Sequence, residues 1–190
     1  MASPVGHSLF GYVIYDLARQ KRDQINWREF LYFVIIANIA DIDYLFGFVV
    51  GKPNQYHHQF THSIAFAVLV SIAVTLLSRW KNHEISLRFF SATLITYCSH
   101  LIVDFFTVDT SFPFGEQLFW PFSGRYVLSP VSFFSDVHKG NTIAGFWQGL
   151  FSLHNVKTML LEMAIVGSLI LIIYFIKRQK RIHRNDKAEN

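Results

Sequence analysis

The sequence predicts an all-α, polytopic membrane helical bundle of about five helices, with a long irregular extracytoplasmic loop. Of the 190 residues, 52% are hydrophobic and only 16% are charged, whereas soluble domains have about 25% charged residues. Several apolar segments approach the ~20 residues that span a bilayer. The Lys and Arg residues are also distributed unevenly between the connections of these segments. These three observations favour a membrane protein, with the lipid bilayer as its surroundings.

Five segments carry the helix prediction, and the first has clear start signals. Ser3 is a typical N-cap and Pro4 is suited to the first turn. A stretch rich in Pro and Gly, at about 107–157, predicts the irregular loop. The five segments are 4–18, 30–50, a stretch from Thr61 or Ser63 to about Leu77, 89–106, and 158–176.

The charge distribution predicts the topology. Thirteen of the 17 Lys and Arg residues lie in 19–28, 79–88 and the segment from 177 onwards. Basic residues accumulate on the cytoplasmic side of membrane proteins. We therefore expect five crossings, with the N-terminus outside and the C-terminus in the cytoplasm.

The length predicts one domain, over residues 1–180, followed by a basic, disordered tail at 181–190. From Lys177 onwards, six Lys or Arg residues face only Asp186 and Glu189, which accounts for the whole formal charge of +4. Such a segment after an apolar one is typical of an anchor at an anionic leaflet. The remaining chain is neutral overall, so no nucleic-acid partner is expected.

Polar residues interrupt the apolar pattern in one region above all. Asp41 and Asp43 are followed by His57, His58 and His62, and such residues are costly in an apolar layer unless they pair, face water or bind something. Two carboxylates two residues apart point to opposite sides of a regular helix. Either the helix loosens there, or one carboxylate binds a metal while the other orients a histidine.

A second pair, His100 and Asp104, is spaced to share one helix face. The pair can supply two ligands, or one ligand and the carboxylate that orients it. With His7, all these groups fall on the predicted outer side of the membrane. Imidazole and carboxylate ligands favour Zn²⁺, with Mn²⁺ and Fe²⁺ as alternatives, and one or two ions are expected.

The same motifs resemble the YdjM-like family of inner-membrane metal-dependent hydrolases. The likeness covers most of residues 3–126 and includes ADIDYL, HHQFTHS, SHLIVDFFT and LFWPFSGR. Such proteins typically have His-Arg where this chain has His57 and His58, so His57 matches and the role of His58 stays open. The resemblance implies a location in the bacterial inner membrane. It also implies one set of metal-site residues: His7, Asp41, Asp43, His57, His62, His100 and Asp104.

These features lead to a functional hypothesis. We expect hydrolysis by metal-activated water of a phosphoester or lipid-linked substrate at the outer face. Asp43 or Asp104 would be the general base, and the sequence does not choose between them. The alternative is a non-enzymatic protein that uses the same ligands for metal transport, sensing or structural support.

Other polar residues receive weaker interpretations. Glu162 either pairs internally or faces water, and Arg125 is expected to pair with Glu116 or Asp136. The remaining histidines, which are His83, His138, His154 and His183, have no partner by spacing and receive no role.

Overall fold

The computed structural model describes residues 1–19, 24–82, 86–110 and 114–189. This part of the chain is mostly helical and contains no β-strand. Its seven α-helices are α1 Pro4–Ala18, α2 Trp27–Asn38, α3 Asp43–Val49, α4 Ile64–Asn82, α5 Leu87–Phe105, α6 Ile143–Leu150 and α7 Leu153–Glu189. Three short 3-10 turns accompany them: Ile39–Ile42, Pro53–Tyr56 and Phe60–His62.

The start of α1 has the predicted capping. The Ser3 hydroxyl accepts a hydrogen bond from the backbone N–H of Gly6 at 3.2 Å, and Pro4 occupies the first turn. Capping satisfies one of the backbone donors that every helix start leaves free. The helix has 15 residues, or about 22 Å of length at 1.5 Å per residue, which is shorter than the ~30 Å hydrocarbon layer.

The second apolar segment is broken in its middle. α2 ends at Asn38, whose side-chain amide donates to the carbonyl of Val34 at 2.8 Å and to the hydroxyl of Ser8 at 3.1 Å. One 3-10 turn, Ile39–Ile42, then leads into α3. This break is the loosened helix that the spacing of Asp41 and Asp43 suggested.

A sharp bend precedes α4. The segment Pro53–His62 meets Ile64–Arg79 at 75°. Of the two caps that the sequence offered, Ser63 is used, because its hydroxyl accepts from the N–H of Phe66 at 3.1 Å. Thr61 donates its hydroxyl to Asp43 at 2.9 Å instead.

Hydrogen bonds fix the relative directions of the helices. Glu162 accepts from the backbone N–H of Ser3 at 2.7 Å, and Lys177 bonds to Asp16, so α1 and α7 run parallel. Arg88, at the start of α5, donates to the carbonyl of Ala18 at 2.6 Å, so α5 runs antiparallel to α1. Consequently α1 and α7 begin at the end of the bundle where α5 finishes.

α5 is the central helix. One apolar cluster, which includes Val103, joins it to Val13 of α1 and Val166 of α7. A second cluster, which includes Leu101, joins it to residues of α2 and α4 such as Ile36. The last turns of α5 are therefore fixed from two sides, and this is where His100 and Asp104 lie.

Two helical segments of the described chain are long and apolar enough to cross a membrane, Trp27–Val49 and Leu153–Lys180. The bent pair Pro53–His62 and Ile64–Arg79 gives a third if it is counted as one span. Along α7 the large apolar side chains are mostly exposed, for example Leu171, Ile172 and Phe175. Such a surface suits lipid rather than water. The five crossings stay a prediction.

The predicted irregular loop is only partly irregular. Residues 114–142 contain no α-helix, but α6 and the first turns of α7 follow within the predicted 107–157 range. The Thr142 hydroxyl caps α6 by accepting from Gly145 at 3.1 Å, and Phe146 packs on Tyr44. Sequence reading missed α6 because its eight residues have Gly at two positions, and Gly is a weak helix former.

The C-terminal segment also differs from the sequence prediction. Where disorder is expected at 181–190, α7 continues to Glu189, and Asn190 lies outside the described residues. From Lys177 onwards six residues are Lys or Arg, which favour helix. Extending an existing helix avoids the cost of a new nucleus.

Gly47 provides a test of how α3 is packed. A Cβ atom there would lie 2.2 Å from the carbonyl oxygen of Pro53, so Gly47→Ala forces the backbone of α3 away from the following turn. We expect a loss of about 1–3 kcal/mol in the free energy of unfolding, measured as a lower melting temperature in detergent. Gly167→Ala is the control, because a Cβ there meets nothing within 4 Å. Equal melting temperatures for the two variants would contradict this packing.

Candidate metal centre

The seven predicted ligand residues lie together at one end of the bundle. They come from the start of α1, the break after α2, the segment before α4 and the end of α5. Overlapping groups of three, each with ligand atoms within 4.8 Å of one another, connect all seven. All are buried except Asp41, whose side chain is 15% exposed. Their binding of an ion stays a prediction.

Two histidine nitrogens face each other at the centre. The Nε2 atoms of His62 and His100 are 3.2 Å apart. The Nδ1 of His100 lies 2.8 Å from the carbonyl oxygen of Ala37, which can only accept, so Nδ1 carries the proton. The Nδ1 of His62 lies 3.1 Å from Asp43 in the same way. In the neutral rings both Nε2 lone pairs therefore point at each other, and this contact requires a cation or an added proton between them.

Two carboxylate oxygens complete a four-donor shell. Asp41 Oδ1 lies 3.7 Å from the Nε2 atoms of both His62 and His100. Asp104 Oδ2 lies 3.7 Å from His62 Nε2 and 3.3 Å from His100 Nε2. Tetrahedral Zn²⁺ with bonds of about 2.0–2.2 Å separates its ligand atoms by about 3.3–3.6 Å. Each carboxylate oxygen thus lies at nearly the ligand spacing of a tetrahedral ion from both histidine nitrogens.

Asp43 orients the histidines rather than facing the centre. Its Oδ2 accepts from the hydroxyl of Thr61 at 2.9 Å and from the backbone N–H of His58 at 3.2 Å. Its carboxylate also lies 3.1 Å from the Nδ1 atoms of His57 and His62. The two aspartates therefore divide the tasks that the sequence left open, with Asp41 toward the centre and Asp43 behind the rings. A carboxylate in this position fixes the tautomer of a metal-binding histidine.

His57 and His58 both reach the centre. The Nδ1 of His58 bonds to the carbonyl of Gly115 at 3.1 Å, and its Nε2 lies 3.6 Å from Asp104 Oδ2. The backbone of His58 has a φ of 65°, a left-handed conformation that costs energy outside glycine and often occurs at functional sites. This conformation brings two consecutive rings, 4.0 Å apart at their centroids, to the same side. The sequence could not choose between His57 and His58, and the structure brings both into the cluster.

His7 covers the centre from α1. Its ring stacks on that of His100, with centroids 3.7 Å apart. Its Nε2 lies 3.4 Å from Asp104 Oδ1, which also accepts from the backbone N–H of Ala2 at 2.7 Å. His7 is therefore placed as a further ligand or as a ring that shields His100.

Unpartnered buried atoms are concentrated here. Buried polar atoms almost always have a hydrogen-bond partner, and each one without a partner costs about 1–3 kcal/mol. At this site the atoms without one include Asp41 Oδ1, Asp104 Oδ2 and the Nε2 atoms of His7, His57 and His58. All are atoms that donate lone pairs to metals. The residues present therefore fit a divalent ion.

Sequence reasoning missed two charged neighbours. Glu116 is buried, both of its carboxylate oxygens lack a hydrogen-bond partner, and burial followed by the charge of Asp104 raises its pKa well above the usual range. Lys139 contacts the Tyr44 hydroxyl, and burial lowers its pKa although Asp41 and Asp104 oppose the shift. Neither residue has a motif or a spacing partner, so the sequence carries no signal for them.

Glu162 and Arg125 are two further residues whose partners were predicted from the sequence. Glu162 pairs internally, because it is buried and accepts from the N–H and hydroxyl of Ser3. The expected partner of Arg125 is wrong. Arg125 is exposed while the Glu116 oxygens are unpartnered, and Asp136 bonds to Thr110 instead. The chain returns to form a bridge between Glu116 and Val127, but the Glu116 side chain is buried whereas that of Arg125 is exposed.

One family comparison matches nearly the whole chain. The family described as YdjM inner membrane protein matches residues 1–180. The comparisons with curated proteins and with solved structures gave no significant match.

The buried Glu116 predicts a pH dependence of stability in the metal-free protein. A carboxyl group whose pKa is raised on folding stabilises the folded state below its ordinary value of 4.5. This stabilisation is lost as the pH rises toward the folded-state pKa. Glu116→Gln removes the ionisable group at nearly constant volume. We expect its melting temperature, relative to wild type, to increase as the pH is raised from 4.5 to 8 in the presence of a chelator.

The control for this prediction is Glu29→Gln, because Glu29 is exposed. Its melting temperature should follow that of the wild type at every pH. If the difference between Glu116→Gln and wild type were the same at all pH values, Glu116 would not be a buried titrating group.

Proposed function

Since the chain belongs to the YdjM family of inner membrane proteins, we propose that it is a membrane-bound metal-dependent hydrolase. One observation carries the proposal. The lone pairs of His62 and His100 face each other 3.2 Å apart, flanked by two unpaired carboxylate oxygens. In the neutral rings this arrangement is repulsive, and a divalent ion held by these four atoms would remove the repulsion. A purely structural role for these residues would more simply use hydrogen-bonded or apolar side chains.

The donor set favours Zn²⁺, with Mn²⁺ and Fe²⁺ as alternatives. The four-donor shell of Asp41, His62, His100 and Asp104 holds one ion in this proposal. His57 and His58, each with its Nδ1 bonded to an oxygen and its Nε2 without a partner, are the additional donors for a second ion.

A bound ion would supply an activated water and would polarise the phosphoryl or carbonyl group of the substrate. The side chains of this chain then orient the rings, carry protons and exclude bulk water. Asp43 holds the tautomers of His57 and His62 through its bonds to their Nδ1 atoms. Burial of almost every ligand keeps the site dry, which strengthens each electrostatic interaction.

Proton transfer requires a carboxylate that is not fully engaged. Asp43, one of the two bases expected from the sequence, already has four donors around it. Asp104 keeps Oδ2 without a hydrogen bond, so we favour Asp104 as the base, in a state in which this oxygen would leave the fourth position of the ion to water. Glu116 is a second proton carrier in this proposal, because burial and then the charge of Asp104 raise the pKa of its carboxyl group.

The proposed substrate is a phosphoester or a lipid-linked ester. The cluster lies where α1 and α7 begin, next to apolar surface that faces lipid. Lys139, whose amine contacts the hydroxyl of Tyr44 beside His57, would offset the charge of a phosphate in its protonated form. An ester with a lipid tail would reach the site from the bilayer, and its charged group would meet the ion and Lys139.

The location of the site on the outer face is part of the proposal. The described parts of the basic segments, which are 19, 24–28, 79–82, 86–88 and 177–189, lie at the ends of the helices that point away from the cluster. Because basic residues favour the cytoplasm, the cluster would face the extracytoplasmic side. The alternating helix directions support five crossings with the C-terminus inside, which stay part of the proposal.

A non-enzymatic metal protein is the second candidate, and the burial of the cluster favours it. Ions in sensing or structural sites are enclosed by protein, whereas catalytic ions keep one open position. A transporter is less well supported. Its path has to cross the bundle, while the metal-binding side chains described above collect at one end.

Hydrolysis is tested with Asp104→Asn in the metal-loaded protein. We expect the wild type to release phosphate or a free alcohol from members of a panel of phospholipids and soluble phosphoesters. The variant should be slower by about 10²–10⁴-fold, the usual contribution of a positioned base. Ser168→Ala is the matched control, because its exposed hydroxyl bonds only within α7 to Ala164. A wild type that retains stoichiometric metal but turns over no member of the panel would favour the second candidate.

A further inference from the structure

A second group of metal-binding side chains lies outside the main cluster. His154 Nε2 is 3.2 Å from Asp136 Oδ1, and His138 Nε2 is 3.6 Å from Asp136 Oδ2. The three residues offer ligand atoms within 4.8 Å of one another. None of them is shared with the centre described above. The sequence gave no reason to combine them, because 16 residues separate His138 from His154.

The backbone around this group is held firmly. The carboxylate of Asp136 accepts from the hydroxyl of Thr110 at 2.6 Å, and its carbonyl accepts from that of Thr158 at 3.1 Å. The buried side chain of Asn155 accepts from the N–H of His138 at 2.7 Å and donates to its carbonyl at 2.9 Å. These bonds connect the loop to the first turns of α7. The backbone at the three ligand residues is therefore fixed although the loop itself has no regular structure.

We propose that Asp136, His138 and His154 form a second, solvent-open site for a zinc-class divalent cation. The two N–O separations, 3.2 and 3.6 Å, are close to the spacing of about 3.3–3.6 Å between ligands of a tetrahedral Zn²⁺ ion. Two imidazoles and one carboxylate leave the fourth position to water. His138 is 54% and His154 37% exposed at the side chain, so that position faces solvent.

Ion binding requires a small movement of the rings. It also requires the proton of His154 to shift to Nδ1 from Nε2, which donates to the backbone carbonyl of Asp136 at 3.0 Å. The imidazoles of His138 and His154 are stacked, with centroids 3.7 Å apart and planes 7° from parallel. The lone pairs of parallel rings are also parallel, so the rings must tilt before both point at one ion. Exposed rings have room to do this. The site should therefore bind more weakly and exchange faster than the buried centre, whose rings are already oriented.

A structural alternative uses the same residues without an ion. His154 then donates to the carboxylate of Asp136, and His138 simply stacks on His154. Counting bound ions distinguishes the metal site from this metal-free arrangement. Replacing the two histidines lowers the ion count only if they bind an ion.

The experiment counts Zn²⁺ per chain in the purified full-length protein after equilibrium dialysis in detergent. The double variant His138→Gln, His154→Gln should hold one ion fewer than the wild type at saturating Zn²⁺. His183→Gln, which changes a histidine in the basic C-terminal segment, is the control and should hold as many ions as the wild type. Equal ion counts in wild type and double variant would overturn the proposal.

Ion counts in a protein without the main centre distinguish the two sites. In protein carrying His62→Ala and His100→Ala, one ion per chain should remain, and adding the His138 and His154 substitutions should remove it. If the protein carrying His62→Ala and His100→Ala does not fold, the ion counts of the wild type and of the His138→Gln, His154→Gln variant still test the proposal. A wild type that binds only one ion, lost with His138→Gln and His154→Gln, would support this site and reject the main centre.

Discussion

The contact between the Nε2 atoms of His62 and His100 is the constraint on which the site depends. Each ring is fixed from behind by an oxygen, the carbonyl of Ala37 for one and the carboxylate of Asp43 for the other. Neither neutral ring can donate a proton to the other in this arrangement. The helix ends that hold them belong to α2, α4 and α5, so an ion between the rings would also tie three helices together.

The same end of the bundle is connected to the membrane-facing helix. Ser3 bonds to Glu162 of α7, and the neighbouring Ala2 bonds to Asp104 beside the centre. A short segment thus links the most lipid-exposed helix to a metal-site carboxylate through two buried hydrogen bonds. A buried carboxylate with one partner removed is costly, which gives the chain a physical reason to keep α1, α5 and α7 in register.

Helix periodicity and short-range spacing predicted much of this structure. The bounds of α1, its Ser3 cap, and the shared face of His100 and Asp104 all follow from local rules. The break between α2 and α3 was one of two interpretations of the aspartate pair. Local rules hold in these segments because apolar burial and backbone hydrogen bonding favour the same conformation.

The remaining features depend on contacts between distant parts of the chain. The left-handed backbone of His58 is held by the tertiary bonds of its N–H and its ring. Glu116 and Lys139 reach the centre from a loop, and Asp136 meets His154 only because Asn155 fixes the intervening backbone. The spacing of residues in the sequence does not predict contacts of this kind.

The most direct test of the central claim is anomalous diffraction from crystals of the zinc-loaded protein, recorded on both sides of the zinc absorption edge. The account predicts an anomalous peak between His62 and His100, about 2.0–2.2 Å from both Nε2 atoms and within bonding distance of Asp41 and Asp104. Electron density that shows the two rings in direct N–H···N contact, with no anomalous peak between them, would contradict it.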